Sequence, residues 1–127
     1  MTETVLGVDY GRSRIGLAVA YKGVNVVLPH GALAAANLGE LQNIIVAKKI
    51  KTVIFGWPLS LNGAENENTA RIKNFADELK THLPDLKIEF EDERFSSQAA
   101  VRSVDSAVSV DERSAMIILE SWLSRFV

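Results

Sequence analysis

Asp9, Glu93 and Asp111 are the residues of this 127-residue chain whose types and surroundings could do chemistry. Asp9 interrupts the apolar run Val5-Leu6-Gly7-Val8 at its end, with Gly11 and Arg12 close behind it. Glu93 follows the strand-like stretch Lys87 to Glu91, within Asp92-Glu93-Arg94, and Asp111 falls in the first turn of an expected final helix. Three carboxylates forced together raise one another's pKa unless cations neutralise them, and hard divalent ions take oxygen ligands. The implied cofactor is Mg²⁺ or Mn²⁺. Two such ions about 3.5–4 Å apart can stabilise both the attacking and the leaving oxygens of phosphodiester hydrolysis. Asp9 has a plainer reading as well, as the cap of a hairpin turn, and the cluster rests on the topology that would bring its members together.

For the acids to meet, the chain must fold so that the ends of distant segments share an edge. Val5 to Val8 reads as a strand covered on both faces, where branched apolar runs replace alternation. Gly11 could take a positive φ in the turn that follows, and Gly16 leaves room for the close approach of a backbone or ligand. A hairpin turn at Tyr21 to Val24 leads to a third strand, Val24 to Leu28, ending at Pro29. Asn37 is a good N-cap for a helix with Leu38, Leu41, Ile44, Ile45 and Ile50 at helical spacing. Thr52 to Gly56 is a short buried strand, parallel to the first because a helix intervenes. A loop with Pro58 and Asn62-Gly63 leaves its carboxyl end. Ile72, Phe75, Ala76, Leu79 and Leu83 stripe a helix that Pro84 stops, and Lys87 to Glu91 supplies the last strand. Ser96 can cap a short helix through Val104. Ser109-Val110-Asp111-Glu112 has the form of a capping box.

The resulting order, β-β-β-α-β-α-β-α-α, predicts a single α/β domain over residues 1–127: a mixed five-stranded sheet with helices on its faces. The first, fourth and fifth strands then end at one edge, which brings Asp9 and Glu93 together. Asp111 shares a helix face with Ala115, Ile118 and Trp122, and so points at the sheet. Glu112 has an apolar stripe of its own, in Met116, Leu119 and Leu123, but a Glu three residues after the cap is expected to bond back to it.

Composition narrows the partners. Net charge is −2, from 14 Lys and Arg against 16 Asp and Glu, so no global field attracts a polyanion and any nucleic acid must bind a local patch. The candidate patches are Arg12 and Arg14 beside Asp9, Arg71 and Lys73, and Arg94, with Arg12, Arg71 and Arg94 the nominated phosphate contacts and the alternative being surface arginines with carboxylate partners. Lys48, Lys49 and Lys51 read as a solvated helix end. With no cysteine and two distant histidines, zinc spacing is absent. The amino terminus has no secretory pattern and no apolar stretch reaches about 20 residues, so a cytoplasmic protein without membrane contact is expected.

Four blocks, in order, resemble the YqgF (RuvX) family of ribonuclease H-like proteins, called pre-16S rRNA nucleases or Holliday junction resolvase-like proteins. They are Leu6-Gly7-Val8-Asp9-Tyr10-Gly11 with Gly16 and Ala18; Phe55-Gly56-Trp57-Pro58-Leu59 with Asn62-Gly63, Arg71 and Phe75; Asp92-Glu93-Arg94-Phe95-Ser96-Ser97 with Ala99; and Val110-Asp111 with Ser114-Ala115 and Ile117-Ile118-Leu119. The resemblance implies a ribonuclease H-like fold and a metal-dependent nuclease that matures the 5′ end of small-subunit ribosomal RNA, with the family's acids on Asp9, Glu93 and Asp111. Precursor rRNA is the favoured partner, with branched DNA and ribosomal particles as further ones, and the protein a monomer or homodimer. This chain differs from its relatives in Phe95-Ser96-Ser97 and in a short segment from Arg102 to Ser109 without a Lys/Arg-rich loop. Two other readings stay open. The Asp9 stretch also resembles the phosphate loop of actin-like sugar kinases, which clamp ATP between two such domains, and a non-catalytic RNA-binding module could share the fold.

Overall fold

Strand periodicity and helix capping between them set the layers of this protein. The computed structural model describes residues 3–24, 26–35, 37–93 and 108–126. Their elements run β1 (Glu3–Tyr10), β2 (Arg14–Lys22), β3 (Val26–Ala34), α1 (Leu38–Ala47), β4 (Thr52–Trp57), α2 (Glu67–His82), β5 (Lys87–Asp92) and α3 (Val110–Leu123), closed by a 3₁₀ turn at Ser124–Phe126. The sheet order is β3-β2-β1-β4-β5, with the β3-β2-β1 pairings antiparallel and the β1-β4-β5 pairings parallel. The expected mixed sheet is therefore present, and β1, β4 and β5 end at one edge. The helix expected from Ser96 to Val104, and Arg94, lie outside the described residues.

Side chains alternate across each strand, and the alternation assigns the helices. Leu6 and Val8 of β1 join Ile15, Leu17, Val53 and Phe55 in a core layer with Leu41 and Ile45 of α1 and Phe75 and Leu79 of α2. Val5, Ala18, Ala20 and Ile54 instead meet Ala115, Ile118, Leu119 and Trp122 of α3. Both faces of β1 and β4 are thus covered, which is why their apolar runs lack alternation. The face of α3 with Asp111 at its start is packed, as its spacing predicts, and so is the neighbouring stripe of Met116, Leu119 and Leu123 that begins at Glu112.

The α3 side of β1 and β2 is lined by small residues, and this lets the helix lie close. A Cβ placed on Gly7 would stand 2.5 Å from Leu119 Cγ, so Gly7 is where the helix touches down. At the helix start, Ser109 Oγ accepts from the Glu112 amide at 3.1 Å while Glu112 Oε1 accepts from the Ser109 amide at 3.1 Å. The predicted capping box is formed.

β3 differs from its sequence reading. It does not end at Pro29 but continues to Ala34, because it is an edge strand on which a residue without an N–H costs no ladder bond. The β2–β3 register slips between Gly16 and Ala18, which pair with Ala32 and Pro29, and Gly31 takes φ +82° there. The Gly31 amide donates to Glu112 Oε2 at 2.6 Å. Burial pushes the Glu112 carboxyl up, but the Gly31 and Ser109 hydrogen bonds outweigh it and hold the group below its ordinary range. One side chain thus closes the α3 cap and pins the bulge of β3. Glu112→Ala should cost about 1–2 kcal/mol, read as a lower urea midpoint with unchanged m-value. An unchanged midpoint would show both bonds to be dispensable.

α1 opens on Asn37, whose side chain accepts from the Glu40 amide at 3.3 Å, as its sequence predicts. The lysines that follow it, Lys48, Lys49 and Lys51, are exposed. α2 opens on Asn66, in a second capping box with Thr69 that the sequence reading did not identify. No described helix is long and apolar enough to cross a membrane.

Candidate functional site

Asp9 occupies the centre of the sheet edge, and two glycines explain what stands on either side of it. In the β1–β2 register Asp9 pairs with Gly16. A Cβ on Gly16 would lie 1.9 Å from the Asp111 carbonyl oxygen, so the first turn of α3 rests directly on that glycine. In the parallel β1–β4 ladder, Val8 pairs with Phe55, and Gly56 follows one residue on. A Cβ on Gly56 would stand 2.8 Å from the Glu93 carboxyl carbon and from its Oε2. One glycine therefore admits Asp111 beside Asp9 and the other admits Glu93. Gly16 was expected to permit such an approach. Gly11 was expected at positive φ and is not there; instead its amide donates to the Arg14 carbonyl at 2.9 Å, which closes the β1–β2 turn.

Glu93 is placed by the strand that precedes it. Its amide donates to the Trp57 carbonyl at 3.1 Å, continuing the β4–β5 ladder one step past the Trp57–Asp92 pair. Trp57 packs its ring 4.6 Å from that of Phe90, so it braces the edge as a packing residue.

Asp9 and Glu93 line one cleft of about 350 Å³ together with Tyr10, Gly11, Arg12, Pro58, Asn68, Arg71 and Ile72. Arg12 and Arg71 are thus brought to the acids. The Arg71 guanidinium lies over the Tyr10 ring at 5.5 Å from its centroid and donates to Asn68 Oδ1 at 3.0 Å, which fixes its heading. Asp111 lines no part of this cleft. It flanks Asp9 from the α3 side, where its Oδ2 accepts from Arg14 Nε at 3.0 Å. Asn68 and the glycine at 56 were missed as site residues. A glycine closing a buried strand beside a carboxylate is the signal that could have found the second, and the Asn66-to-Thr69 box the signal for the helix end that carries the first.

Burial first and like charge second set the electrostatics of the pair. Desolvation, reinforced by the Asp111 charge, raises the Asp9 pKa to about 6. Desolvation, reinforced by Asp9 and Asp92, raises that of Glu93 to about 7. Among the described residues no three His, Cys, Asp or Glu side chains are gathered tightly enough to hold one ion by themselves. The donor set nevertheless suits a hard divalent cation: two half-buried carboxylates that form no ion pair with a described cation, open to a cleft where water or substrate oxygen can complete the shell.

A pH prediction follows. Both carboxyls keep their protons to higher pH in the folded protein than in the unfolded chain, whose values are near 3.8 and 4.5. Between about pH 4 and 7 the folded state therefore binds more protons, so stability falls as pH rises through that window. For protein in chelator, the unfolding free energy from urea melts should drop across it by an amount on the order of 2–4 kcal/mol. Adding millimolar Mg²⁺ or Mn²⁺ at pH 7.5 should restore much of the loss. Flat midpoints would remove the argument that these acids are desolvated together.

The model of a family described as RuvX, Holliday junction resolvase, matches residues 3–125. A protein of Maridesulfovibrio salexigens named "Putative pre-16S rRNA nuclease" is 35% identical over 95% of this chain and 98% of its own length. One of the same name from Bacteroides fragilis is 33% identical over 94% of each chain. Among solved structures, Thermus thermophilus RuvC superposes with a TM-score of 0.68 at 10% identity, covering 97% of this chain and 96% of that one. The same protein in complex with a Holliday junction substrate gives 0.65 at 11% identity, over 94% and 92%. These superpositions establish the ribonuclease H-like fold.

Proposed function

This chain belongs to the RuvX family, and on that premise we propose that it is a divalent-metal-dependent nuclease that trims the 5′ end of precursor 16S rRNA in the cytoplasm, as a monomer or homodimer acting on ribosomal particles. The observation that carries the reading is the pair Asp9 and Glu93: desolvated, mutually repelling carboxylates sharing a cleft with Arg12 and Arg71. Carboxylates whose pKa values are raised by burial and by neighbouring acidic charge, beside arginines that can hold phosphate, are what phosphodiester hydrolysis with an added cation requires.

Asp9 and Glu93 would hold the ion, with Asp111 as the third acid once it exchanges Arg14 for the cation. When bound, Mg²⁺ or Mn²⁺ supplies Lewis-acid polarisation and lowers the pKa of water. The chain's own part is positional. Arg71, steadied by Tyr10 and Asn68, and Arg12 at the β1–β2 turn would fix the phosphates flanking the scissile bond.

The test is cleavage of a 16S precursor with its 5′ extension, beside a DNA four-way junction, in Mg²⁺ or Mn²⁺ and in chelator. Metal-dependent cutting of the RNA supports the proposal. Cutting of the junction alone moves the assignment to a resolvase, and cutting of neither by folded protein moves it to a binding module.

A further inference from the structure

The β4–α2 loop is built to display one apolar side chain. Leu61 is 88% exposed, the most exposed large apolar residue among those described; only Val110, at 72%, comes near it. An isolated exposed leucine on a loose surface needs no explanation. This one differs because its loop is tied at every turn. The Ser60 amide donates to the Ala64 carbonyl at 2.9 Å and the Gly63 amide to the Ser60 carbonyl at 2.7 Å. The Ala64 amide donates to Asn62 Oδ1 at 3.0 Å, and the Asn66 side-chain amide reaches Pro58 O at 2.9 Å and Ser60 Oγ at 3.2 Å. Gly63, at φ +87°, makes the reversal that leaves Leu61 at the tip. The loop's two ends are set on the candidate site: Pro58 lines the cleft of Asp9 and Glu93, and Asn66 caps the helix whose Asn68 and Arg71 line it too.

We propose that Leu61 is a substrate-positioning residue that packs against an unstacked base next to the phosphate held at the cleft, so that the enzyme engages single-stranded or frayed nucleic acid in preference to continuous duplex. The inference rests on the nuclease reading above. Its chemistry is apolar: a rigid leucine offers a base face a dry surface and can enter a base step as a wedge, while the arginines hold the backbone. Because the loop is already ordered, contact costs it little conformational entropy. Leu61 thus selects for bases free to leave the stack, and carries no charge readout.

The experiment uses the full chain in an Asp9→Asn background, chosen to prevent cutting, with Leu61→Ser and Leu61→Phe added separately. Binding to a fluorescent single-stranded RNA and to the matching duplex is measured over a range of salt. A 2-aminopurine within the single strand reports unstacking. Leu61→Ser should weaken single-strand binding about tenfold, leave duplex binding and the salt slope unchanged, and lose the 2-aminopurine enhancement. Leu61→Phe should keep or strengthen both signals. The melting temperatures of the three proteins should agree, since the side chain is solvated. Equal single-strand affinity for Leu61→Ser, or equal losses on single strand and duplex, would overturn the inference. Failure of the Leu61-containing protein to bind any nucleic acid would instead overturn the nuclease reading.

Discussion

Asparagine at position 9 should abolish metal-dependent cleavage, by roughly a thousandfold or more, and at the same time make the metal-free protein more stable at neutral pH. Both effects have one cause. Asp9 lies between Glu93 on one side and Asp111 on the other, and burial together with Asp111 holds its pKa at about 6. Above that pH the folded protein carries a charge that its surroundings oppose. Asparagine keeps the shape and removes the charge, so stability in chelator should rise by on the order of 1–2 kcal/mol at pH 8 and hardly at all at pH 4. On the proposed function the lost charge is also a ligand of the cation, and losing about 4 kcal/mol of transition-state stabilisation corresponds to the thousandfold. Urea melts at the two pH values and single-turnover cleavage of precursor RNA measure the two halves. A variant that is inactive and less stable would make Asp9 a structural residue. A variant that still cuts would remove it from the site.

How far the site was legible depended on whether neighbours in sequence or neighbours in space decided the matter. Between Asp111 and Glu112 the local rules offer only the cap: Ser109 and Glu112 close a capping box, whereas burial does not divide the two, since Ala115, Ile118 and Trp122 on one stripe and Met116, Leu119 and Leu123 on the other are all buried. The meeting of Asp9 with Glu93 was legible once three strands were read as parallel, because parallel strands separated by helices must end together. What the sequence left hidden needed a partner strand to see it. β3 runs on through Pro29 only because it is an edge whose bulge is tied to Glu112 across 81 residues. Gly11 serves the turn through a hydrogen bond, where a φ argument alone misled. The Arg14–Asp111 pair joins the start of β2 to the start of α3, and no motif announces it. Gly56 reads as an ordinary strand end until the Glu93 carboxylate is found lying against it.

Alanine at Gly16 and at Gly56 should separate folding from function, although both add one methyl group on the same edge. At Gly16 the new Cβ would meet the Asp111 carbonyl oxygen at 1.9 Å and its carbon at 2.3 Å. Both are backbone atoms of a helix start, which no rotamer can move. α3 would have to lift from β1 and β2, disturbing the contacts of Ala115, Ile118 and Leu119, each buried to within 1% of complete. Gly16→Ala should therefore cost about 3 kcal/mol or more, enough to take much of the stability of a domain this size. At Gly56 the Cβ would meet Ile118 Cδ1 at 2.6 Å and the Glu93 carboxylate at 2.8 Å, both at the ends of side chains that can turn. The fold should then lose only about 1 kcal/mol. Glu93, however, would be pushed off the position that faces Asp9. A displacement near 1 Å in such a pair costs on the order of a hundredfold in rate, so Gly56→Ala should melt nearly like the wild type, bind Mn²⁺ more weakly and cut about a hundred times more slowly. If both variants unfold alike, Gly56 is a packing glycine and nothing more. If Gly56→Ala retains full activity, Glu93 does not need its cradle, and the convergence of the two carboxylates is not what drives the reaction.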